Sequence, residues 1–394
     1  MLYTDYTTDL LGLKDVNVTK VETIQGQLHI HLTTIRRMQV CPSCRYDTKR
    51  IHSYRHQLVK DIPFHEGKTI LHLKKRRYFC PHCGKVFQEK VSFLPRYQRN
   101  TSRLVAKIMN SYRSEHSTVS IAKQNGISPG IAMRILNKIS YPRPSLPRVL
   151  SIDEFKGNAE GDKFQCILTD PVRKRVLDIL PSRKSETLLA YFLQYPLEQR
   201  KRVEYLVMDM SHLFRDVLSS CFPNAKIVVD KFHVCRHVTW ALERVRKEEQ
   251  KKFSDDRRKY YKKSRWILLK HKEKLTEEQL LQLENILSIS DDLRKAYWLK
   301  EIFYEFMGSK DLQEARARFL KWNMGYGTVP LEEFQGCFEM MNRWQHQILR
   351  AFSLGYTNGF TEGCNNKIKV LKRNCYGVRN FHRFRNRILH MMAA

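Results

Sequence analysis

The stretch Val149-Leu-Ser-Ile-Asp153 is a short apolar run that ends in an aspartate, and Tyr205-Leu-Val-Met-Asp209 repeats this pattern later in the chain. Apolar runs of this length are typical of buried strands. An aspartate that follows such a run leaves the core at an edge of the sheet. The two stretches therefore predict a sheet that carries two carboxylates at its edges.

Three strands, a helix, a strand, a second helix and a strand are predicted in the middle of the chain. Besides the two quoted strands, apolar runs indicate strands at 164–168, 176–180 and 227–229, and residues 185–195 have the pattern of a helix. The resulting order of elements is that of the ribonuclease-H-like fold, in which the first and fourth strands are neighbours. Other mixed α/β sheets share this order, so the residues at the strand ends must decide between them.

Carboxylates on two neighbouring strands would lie close enough to share metal ions. Asp153 and Asp209 offer hard oxygen ligands, which suit Mg²⁺ or Mn²⁺. Two such ions about 3.5–4 Å apart can activate an attacking oxygen and stabilise a leaving oxygen at phosphorus. The two aspartates therefore predict metal-dependent phosphoryl transfer, provided that a third acid completes the site.

Glu362 is the best candidate for the third acid. Thr361 can cap a helix that carries Glu362 in its first turn. Groups suited to phosphate follow on the same helix face at spacings of three and four, namely Asn365, Lys369 and Arg373. The alternative is that Glu362 is an ordinary favourable charge at a helix N-terminus.

The composition indicates a folded protein that binds a polyanion. Of the 394 residues, 42% are hydrophobic and 11% aromatic, which excludes a disordered chain and allows several domains. The 71 Lys and Arg against 40 Asp and Glu give a formal charge of +31, so nucleic acid is the expected partner. The chain starts without a secretory signal and contains no run that could span a membrane, so we expect a cytoplasmic, nucleoid-associated protein.

Two knuckles of the same form, Cys41-Pro-Ser-Cys44 and Cys80-Pro-His-Cys83, predict a structural zinc site. The two thiolates of each knuckle can reach one ion at about 2.3 Å, and four sulfurs complete a tetrahedral site. The segment 45–79 exceeds the common spacing and implies an inserted hairpin. The alternatives are unrelated thiols or a histidine ligand, the candidates being His52, His56, His65, His72 and His82.

Residues 117–138 have the pattern of a helix-turn-helix. Apolar residues recur at helical spacing on both sides of Gly126, and Ser128 followed by Pro129 is a good helix start. The second helix would direct three polar side chains outward as a recognition helix, namely Arg134, Asn137 and Lys138. Short helix pairs also occur in proteins that never touch DNA, so this interpretation depends on the neighbouring zinc site and on the charge.

These features predict a multidomain α+β protein. Residues 1–97 would form an N-terminal β hairpin and a zinc-ribbon-like module, and 98–141 the helix-turn-helix. After a proline-rich connector at 141–147, residues 148–235 would form the first part of the catalytic core. Residues 236–350 are predicted to be a large all-helical insertion, with a capping box at Thr276 and Gln279 and a basic run that is either a DNA contact or a solvated face. The C-terminal helical part of the core would follow at 351–394.

Several segments together resemble the ISL-three family of bacterial insertion-sequence transposases, part of the wider DDE group. Besides the two knuckles they are Ser151-Ile-Asp153-Glu-Phe, Met208-Asp209-Met-Ser, Val229-Asp230-Lys-Phe-His233-Val and Glu362-Gly-Cys-Asn365, the last continuing to Lys372-Arg373 and Gly377. The likeness runs from the knuckles to the last helix. It implies that Asp153, Asp209 and Glu362 are the metal-binding triad, the same three acids that the residue pattern indicates.

The resemblance also implies a function. It implies that the amino-terminal modules bind double-stranded DNA at the terminal inverted repeats of an element. It also implies that the core cleaves strands and joins them to target DNA. At least a homodimer is expected for this reaction, and no organic cofactor. Asp230 and His233 resemble an element found beside the triad in related transposases; His233 would contact the scissile phosphate or orient a carboxylate, or both are only polar surroundings. The competing functions are a DNA-binding regulator without catalysis and a nuclease of the same fold that never joins strands.

Overall fold

The structure, a computed structural model, describes residues 11–64, 67–160 and 162–393, with the backbone alone at Arg257 and Tyr260. By its internal contacts the chain divides into two units. The first unit contains Met1–Pro142 and Lys367–Ala394, and the second contains Arg143–Asn366. Of the predicted residues, His65 lies outside the described ones.

The first unit is built on a five-stranded sheet in which two hairpins meet. The predicted amino-terminal hairpin is confirmed, and its turn residues Gln25 and Gly26 have φ of 49° and 71°. The inserted hairpin between the knuckles is also confirmed, and its second strand pairs in parallel with the first hairpin. In chain order the strands are β1 (Val16–Ile24), β2 (Gln27–Thr34), β3 (Gln39–Val40), β4 (Asp47–Thr48), β5 (Ile51–Phe64), β6 (Gly67–Phe79) and β7 (Val86–Gln88). The sheet has the order β1-β2-β6-β5, with β7 on β6, while β3 and β4 pair separately.

Three helices of the first unit form the predicted helix-turn-helix with one helix ahead of it: α1 (Ser102–Ser111), α2 (Thr118–Gln124) and α3 (Pro129–Leu136). Between α2 and α3 the chain turns at Gly126, whose φ is +64°. A Cβ added at this position would lie only 2.8 Å from Lys68 Cγ. Ser128 is the N-cap of α3, although its side chain makes no capping hydrogen bond. The buried residues of these helices form a core of their own.

The C-terminal helix Phe381–Met392 also belongs to the first unit. Asn386 Nδ2 donates to the carbonyl of Ile139 at 2.8 Å, and Arg387 Nη2 donates to the carbonyl of Ser114 at 2.7 Å. This grouping concerns contacts alone, and the assignment of 351–394 to the catalytic core stays a prediction. The apolar periodicity of a helix shows which face is buried, but it does not show which domain covers that face.

The second unit contains a five-stranded mixed sheet of the order β10-β9-β8-β11-β12. The strands are β8 (Val149–Lys156), β9 (Phe164–Asp170), β10 (Arg175–Leu180), β11 (Tyr205–Met208) and β12 (Lys226–Val229). The first three pair antiparallel, and β8, β11 and β12 run parallel. The first and fourth strands of this unit, β8 and β11, are therefore neighbours, as the order of the elements predicts.

The strand β8 is longer than predicted. Asp153 does not end it, because β9 continues to pair with β8 as far as Lys156. The pairing with β11, in contrast, ends at Ser151. Asp153 thus lies in the middle of a strand, at the point where one of its two neighbouring strands has stopped.

Helices make up the rest of the second unit. Beside the sheet lie α4 (Ser185–Phe192), α5 (Leu197–Lys201) and α6 (His212–Cys221). After β12 the chain is helical, with α7 (Lys231–Lys251), α8 (Asp255–Lys263), α9 (Arg265–Leu269), α10 (Glu277–Leu287), α11 (Asp291–Met307), α12 (Leu312–Thr328), α13 (Glu332–Arg343) and α14 (Gln345–Leu354). The chain continues in α15 (Gly359–Asn374), and α16 is the C-terminal helix Phe381–Met392. One continuous hydrophobic core, from Leu150 to Phe352, joins the sheet to helices of the second unit between α4 and α14.

The helical region starts earlier than the predicted residue 236, because α7 begins directly after β12. The predicted helix at 185–195 ends at Phe192. The predicted capping box is confirmed: the Thr276 hydroxyl accepts the N–H of Gln279, and the Gln279 side chain accepts the N–H of Thr276. Among the described residues, no helix is long and apolar enough to cross a membrane.

Candidate active site

Two neighbouring parallel strands bring Asp153 and Asp209 side by side. In the register of β8 and β11, Ser151 is opposite Val207, and each aspartate lies two residues further along its strand. Asp153 is only 8% exposed. Asp209 is half-buried and accepts the N–H of Ser211 at 3.1 Å.

Asp153 is buried and Asp209 half-buried, and neither forms an ion pair with a lysine or arginine among the described residues. Burial raises the pKa of Asp153 to about 6, although the N–H of Glu154 and the neighbouring His233 oppose this. Burial also raises the pKa of Asp209, and His233 again opposes it. Desolvation disfavours the ionised form of a carboxyl group, whereas a nearby cation favours it. The two aspartates therefore form a site that a cation would stabilise.

Asp230 and His233 lie at the next strand of the same sheet. Asp230 follows β12, is 4% exposed, and accepts the N–H of Asn358 at 3.2 Å. His233 is in the first turn of α7, with Nε2 4.0 Å from Asp230 Oδ2. His233 also lowers the pKa of both Asp153 and Asp209, so it lies near these two carboxylates as well.

The start of α15 contacts the strands of Asp153 through three polar side chains. The Ser151 hydroxyl donates to Asn358 Oδ1, and the Thr361 hydroxyl bonds with that of Thr169 at 2.8 Å. One turn further along, Asn365 Nδ2 donates to Asp153 Oδ2 at 2.9 Å. The side chains at 358, 361 and 365 therefore share the face of α15 that packs on the sheet.

Glu362 lies on α15 between two of these contacts. It follows Thr361 directly and precedes Asn365 by three residues, so its side chain is half-buried beside the one that contacts Asp153. The three acids do not converge fully. Within the described part of the chain, the four knuckle cysteines are the only group of three or more such ligands whose atoms all lie within 4.8 Å of one another. The carboxylate oxygens of Asp153, Asp209 and Glu362 therefore do not all lie within that distance of one another.

The side chains at this edge fit a hard divalent cation. The candidate donors are all oxygens, which Mg²⁺ prefers. Asn365 is 5% exposed, yet its Oδ1 has no hydrogen-bond partner among the described residues. A buried carbonyl oxygen without a partner is unfavourable unless water or an ion satisfies it. This oxygen and the raised pKa values of the aspartates are consistent with a magnesium site at this edge.

The four cysteines form the second candidate metal centre. Cys41 Sγ lies 3.6 Å from Cys83 Sγ, and Cys44 Sγ lies 3.5 Å from Cys80 Sγ. The N–H of Cys44 lowers the pKa of Cys41 to about 6. At Cys44 the N–H of Tyr46 favours the thiolate, but burial and the three neighbouring sulfurs raise the pKa to about 12. Four thiolates at this spacing need a cation, and a tetrahedral set of sulfurs is the usual zinc site.

The two knuckles have the same backbone turn. The N–H of Arg45 donates to the carbonyl of Cys41 at 3.0 Å, and the N–H of Gly84 donates to that of Cys80 at 2.9 Å. Arg45 and Gly84 both adopt the left-handed conformation, with φ of 61° and 70°. The long β5–β6 hairpin separates the knuckles in sequence but returns the chain to the same place.

The predicted DNA-contacting residues fall into two groups. Arg134, Asn137 and Lys138 are exposed at the end of α3, and Asn137 Oδ1 accepts a hydrogen bond from Arg383 Nε at 2.9 Å. Lys369 and Arg373 are also exposed. Asn365 is buried against Asp153, so any contact that it makes with DNA lies at the candidate active site and not on an exposed helix face.

Two features of these sites were missed in the sequence. Arg383 adds a charged group of α16 to the surface of the helix-turn-helix, and no local pattern indicated this neighbour. Asn358 and Thr361 attach α15 to the sheet together with Asn365; because α15 begins at Gly359, Thr361 lies inside the helix and is not its predicted cap. Their spacing of three and four residues was visible, but polar residues at such spacing are normally placed on an exposed face.

Three comparisons with known families match successive parts of the chain. The family described as "Transposase", of the ISL3 type, matches residues 150–388. Residues 37–83 match "zinc-finger of transposase IS204/IS1001/IS1096/IS1165", and residues 89–140 match "Helix-turn-helix domain of transposase family ISL3". These matches support structural zinc at the cysteines and DNA binding by the helix-turn-helix.

Curated relatives give the same result. "Transposase for insertion sequence element IS1001" of Bordetella parapertussis is 28% identical over 367 residues, which are 90% of this chain and 88% of that protein. "Transposase for insertion sequence element IS1557" of Mycobacterium tuberculosis is 24% identical over 259 residues, 59% of this chain and 57% of that protein. A Lactococcus lactis protein named "ATP-dependent protease" is 35% identical, but over only 29% of this chain. The broad matches favour neither the regulator nor the nuclease.

Proposed function

The chain belongs to the ISL3 family of transposases and is a DNA transposase, and from this premise we propose that Asp153, Asp209 and Glu362 form its metal-binding triad. The observation that carries the proposal is the register of β8 and β11, which puts two buried aspartates with raised pKa values side by side. Among the described residues neither aspartate forms an ion pair with a lysine or arginine, and although Arg236 lowers the pKa of Asp209, burial outweighs this effect.

Two Mg²⁺ or Mn²⁺ ions held by the triad would activate the attacking oxygen and stabilise the leaving oxygen during in-line displacement at phosphorus. The protein's own residues position the ligands. Asn365 fixes the Asp153 carboxylate and offers its free Oδ1, and α15 holds Glu362 beside it. His233, close to both aspartates and Asp230, orients these carboxylates or contacts the scissile phosphate.

The order of events follows from this assignment. The zinc module and the helix-turn-helix bind the terminal inverted repeats of the element, with Arg134, Asn137 and Lys138 on the recognition surface. The sheet with its helical insertion forms a ribonuclease-H-like core, which cleaves a strand with water and then joins the 3′ hydroxyl to target DNA. Both element ends must be held together for this reaction, so at least a homodimer is expected on DNA. In the cell the protein would be associated with the nucleoid.

The test is cleavage and joining of labelled element-end DNA by the full chain and by Asp209→Asn. This substitution keeps the shape of the side chain but removes its charge. We expect joined product with Mg²⁺, none when Mg²⁺ is left out, and a loss of about a thousandfold or more in the variant, whose binding to the same DNA stays unchanged. Omitting Mg²⁺ is preferable to a chelator, because a chelator would also remove zinc.

Asp216→Asn is the matched control, since Asp216 is an exposed aspartate of the same unit on α6. It should leave cleavage at the wild-type rate. Unchanged joining by Asp209→Asn would disprove the assignment of the triad. Metal-dependent cutting without joining would indicate a nuclease.

A further inference from the structure

The helix α7, which begins at the candidate active site, borders a cleft on one side. The cleft lies between α7 and α9 and has a volume of about 270 Å³. Phe232, Arg236 and Trp240 line it from α7 at spacings of four residues, and Leu269 lines it from α9. Sites that enclose a drug-sized ligand measure roughly 300–1,000 Å³. This cleft therefore has room for a single flat ring system rather than for a larger ligand.

The aromatic side chains of the cleft are not used by the core. Phe232 is 49% exposed and Trp240 is 45% exposed, whereas Val234, Val238 and Ala241 on the opposite side of α7 are fully buried. The guanidinium of Arg236 lies 4.4 Å from the centre of the Trp240 ring. A flat aromatic face beside an arginine is the combination that binds a base and its phosphate in single-stranded nucleic acid.

The charge of the cleft favours an anionic ligand. Its carboxylate, Glu243, is only 8% exposed and is already neutralised: Arg246 Nε donates to it at 2.8 Å and Arg265 Nε at 3.0 Å. The side chain of Arg236 is exposed at the rim of the cleft, and its guanidinium lies over the ring of Trp240. A phosphate can therefore approach Arg236 without meeting a free carboxylate in the cleft.

The cleft lies beside the candidate active site. Arg236 is close enough to Asp209 to lower the pKa of that carboxyl group. Trp240 follows His233 by two helical turns, about 10 Å at ~1.5 Å per residue. At a rise of ~3.4 Å per nucleotide of one strand, this distance corresponds to about three nucleotides.

We propose that this cleft binds one unpaired nucleobase of the DNA strand that is being cut, with Trp240 stacked on the base and Arg236 on an adjacent phosphate. The inference rests on the proposed function only for the position of the strand. A base inside a duplex is covered on both faces, so it must leave the stack to reach Trp240. The helical region would thus hold the strand open beside the carboxylates, a role distinct from recognition of the element ends.

The first experiment measures base stacking without cleavage. The probe is a hairpin DNA with a single-stranded extension in which 2-aminopurine replaces one base at each position in turn. It is mixed with the full chain in Ca²⁺, at a salt concentration that screens non-specific phosphate contacts. We expect fluorescence quenching at one position by wild type and by Trp240→Phe, and none by Trp240→Ala.

The affinity for this DNA should fall about 5- to 150-fold in Trp240→Ala, the range for loss of one base stack, while the affinity for the fully paired duplex stays the same. Trp266→Ala is the matched control. Trp266 is 51% exposed in α9 of the same unit and is not part of the cleft lining. It should quench and bind as wild type does. Equal losses in the two variants, or equal losses for paired and unpaired DNA, would overturn the proposal.

An abasic nucleotide at the quenched position gives a test that leaves the protein unchanged. It should weaken binding to wild type as much as Trp240→Ala does, and it should add nothing in that variant. Additive losses would show that base and ring do not touch. If Trp240→Ala changes only the self-association of the protein, the cleft holds another protein chain and the inference is wrong. Because these readouts do not need cleavage, they stay informative even if the triad assignment fails.

Discussion

The four cysteines and the three acids are both candidate metal sites, but they are assembled to different degrees. The cysteine sulfurs lie within 4.8 Å of one another, whereas the three candidate acids, all described residues of the second unit, do not meet that closely. The cysteines come from two equal turns at the two ends of one hairpin. The acids come from two neighbouring strands and a helix that lies far away in the sequence.

The difference reflects what each site has to do. A structural zinc site is closed by protein ligands and contributes directly to folding. A site that processes DNA must leave room for metal ions and for a phosphate, so its carboxylates cannot be held together in advance without repelling one another. The pKa values of Asp153 and Asp209 are raised because both groups are kept away from water before metal ions bind.

The largest expected effect is on the assembled site. Cys80→Ser should abolish zinc binding and unfold the ends of the β5–β6 hairpin, because metal binding and local folding are coupled. Binding to element ends should weaken with it. Zinc content by mass spectrometry and a change in β-sheet circular dichroism check this. Cys375→Ser, at a half-buried cysteine of the same unit, should keep its zinc. Full zinc content in Cys80→Ser would mean that the four sulfurs are ordinary thiols.

The next largest effect is the contribution of Asp153 to the pH dependence of stability. Its sign is opposite to that of a carboxylate held in a salt bridge. The folded-state pKa of Asp153 is raised from 3.8 to about 6, so the folded protein takes up a proton more readily than the unfolded one. Without added divalent ions, the second unit should become more stable as the pH falls through about 6 towards 4. A shift of this size corresponds to about 3 kcal/mol at ~1.36 kcal/mol per unit.

Denaturant titrations of wild type and Asp153→Asn test this effect. The variant should be more stable than wild type at neutral pH and should lack most of the pH dependence. The difference between the two curves removes any contribution of zinc, since zinc is present in both. Added Mg²⁺ should stabilise wild type at neutral pH and leave the variant nearly unchanged. If the stability of wild type and of the variant depends on pH in the same way without Mg²⁺, another group already neutralises the Asp153 carboxylate in the metal-free protein.

Local patterns predicted more of this molecule than long-range packing did. The knuckles, both hairpins, the helix-turn-helix and the sheet order follow from spacing and periodicity, which depend on neighbouring residues. The position of Asp153 within β8 did not, because the partner strand β9 decides how far β8 extends. The burial of Asn365 and the placement of α16 in the first unit depend on which surface covers a helix, and one sequence does not specify that surface.

The third expected effect is of intermediate size and concerns the contact of Asn365 with Asp153. Its Nδ2 holds Asp153 and its Oδ1 is free, so Asn365→Ala should raise the Mg²⁺ concentration needed for half-maximal cleavage by about 10- to 100-fold, as loss of groups that orient metal ligands does. The rate at saturating Mg²⁺ should recover in large part. Asn366→Ala, at the exposed next position of α15, is the control. A lower rate at all Mg²⁺ concentrations with an unchanged midpoint would assign Asn365 to the substrate instead.

The smallest effect tests whether the two knuckles are equivalent. Arg45 and Gly84 occupy the same left-handed position, which is unfavourable for a residue with a Cβ and allowed for glycine. Arg45→Gly should therefore stabilise the zinc-bound module by up to about 1 kcal/mol, and Gly84→Ala should destabilise it by a similar amount. The two changes should nearly cancel in the double variant, because they act at separate turns. If Arg45→Gly instead weakens the module, the Arg45 side chain makes a contact that outweighs its backbone cost, and the knuckles are alike in shape but not in energy.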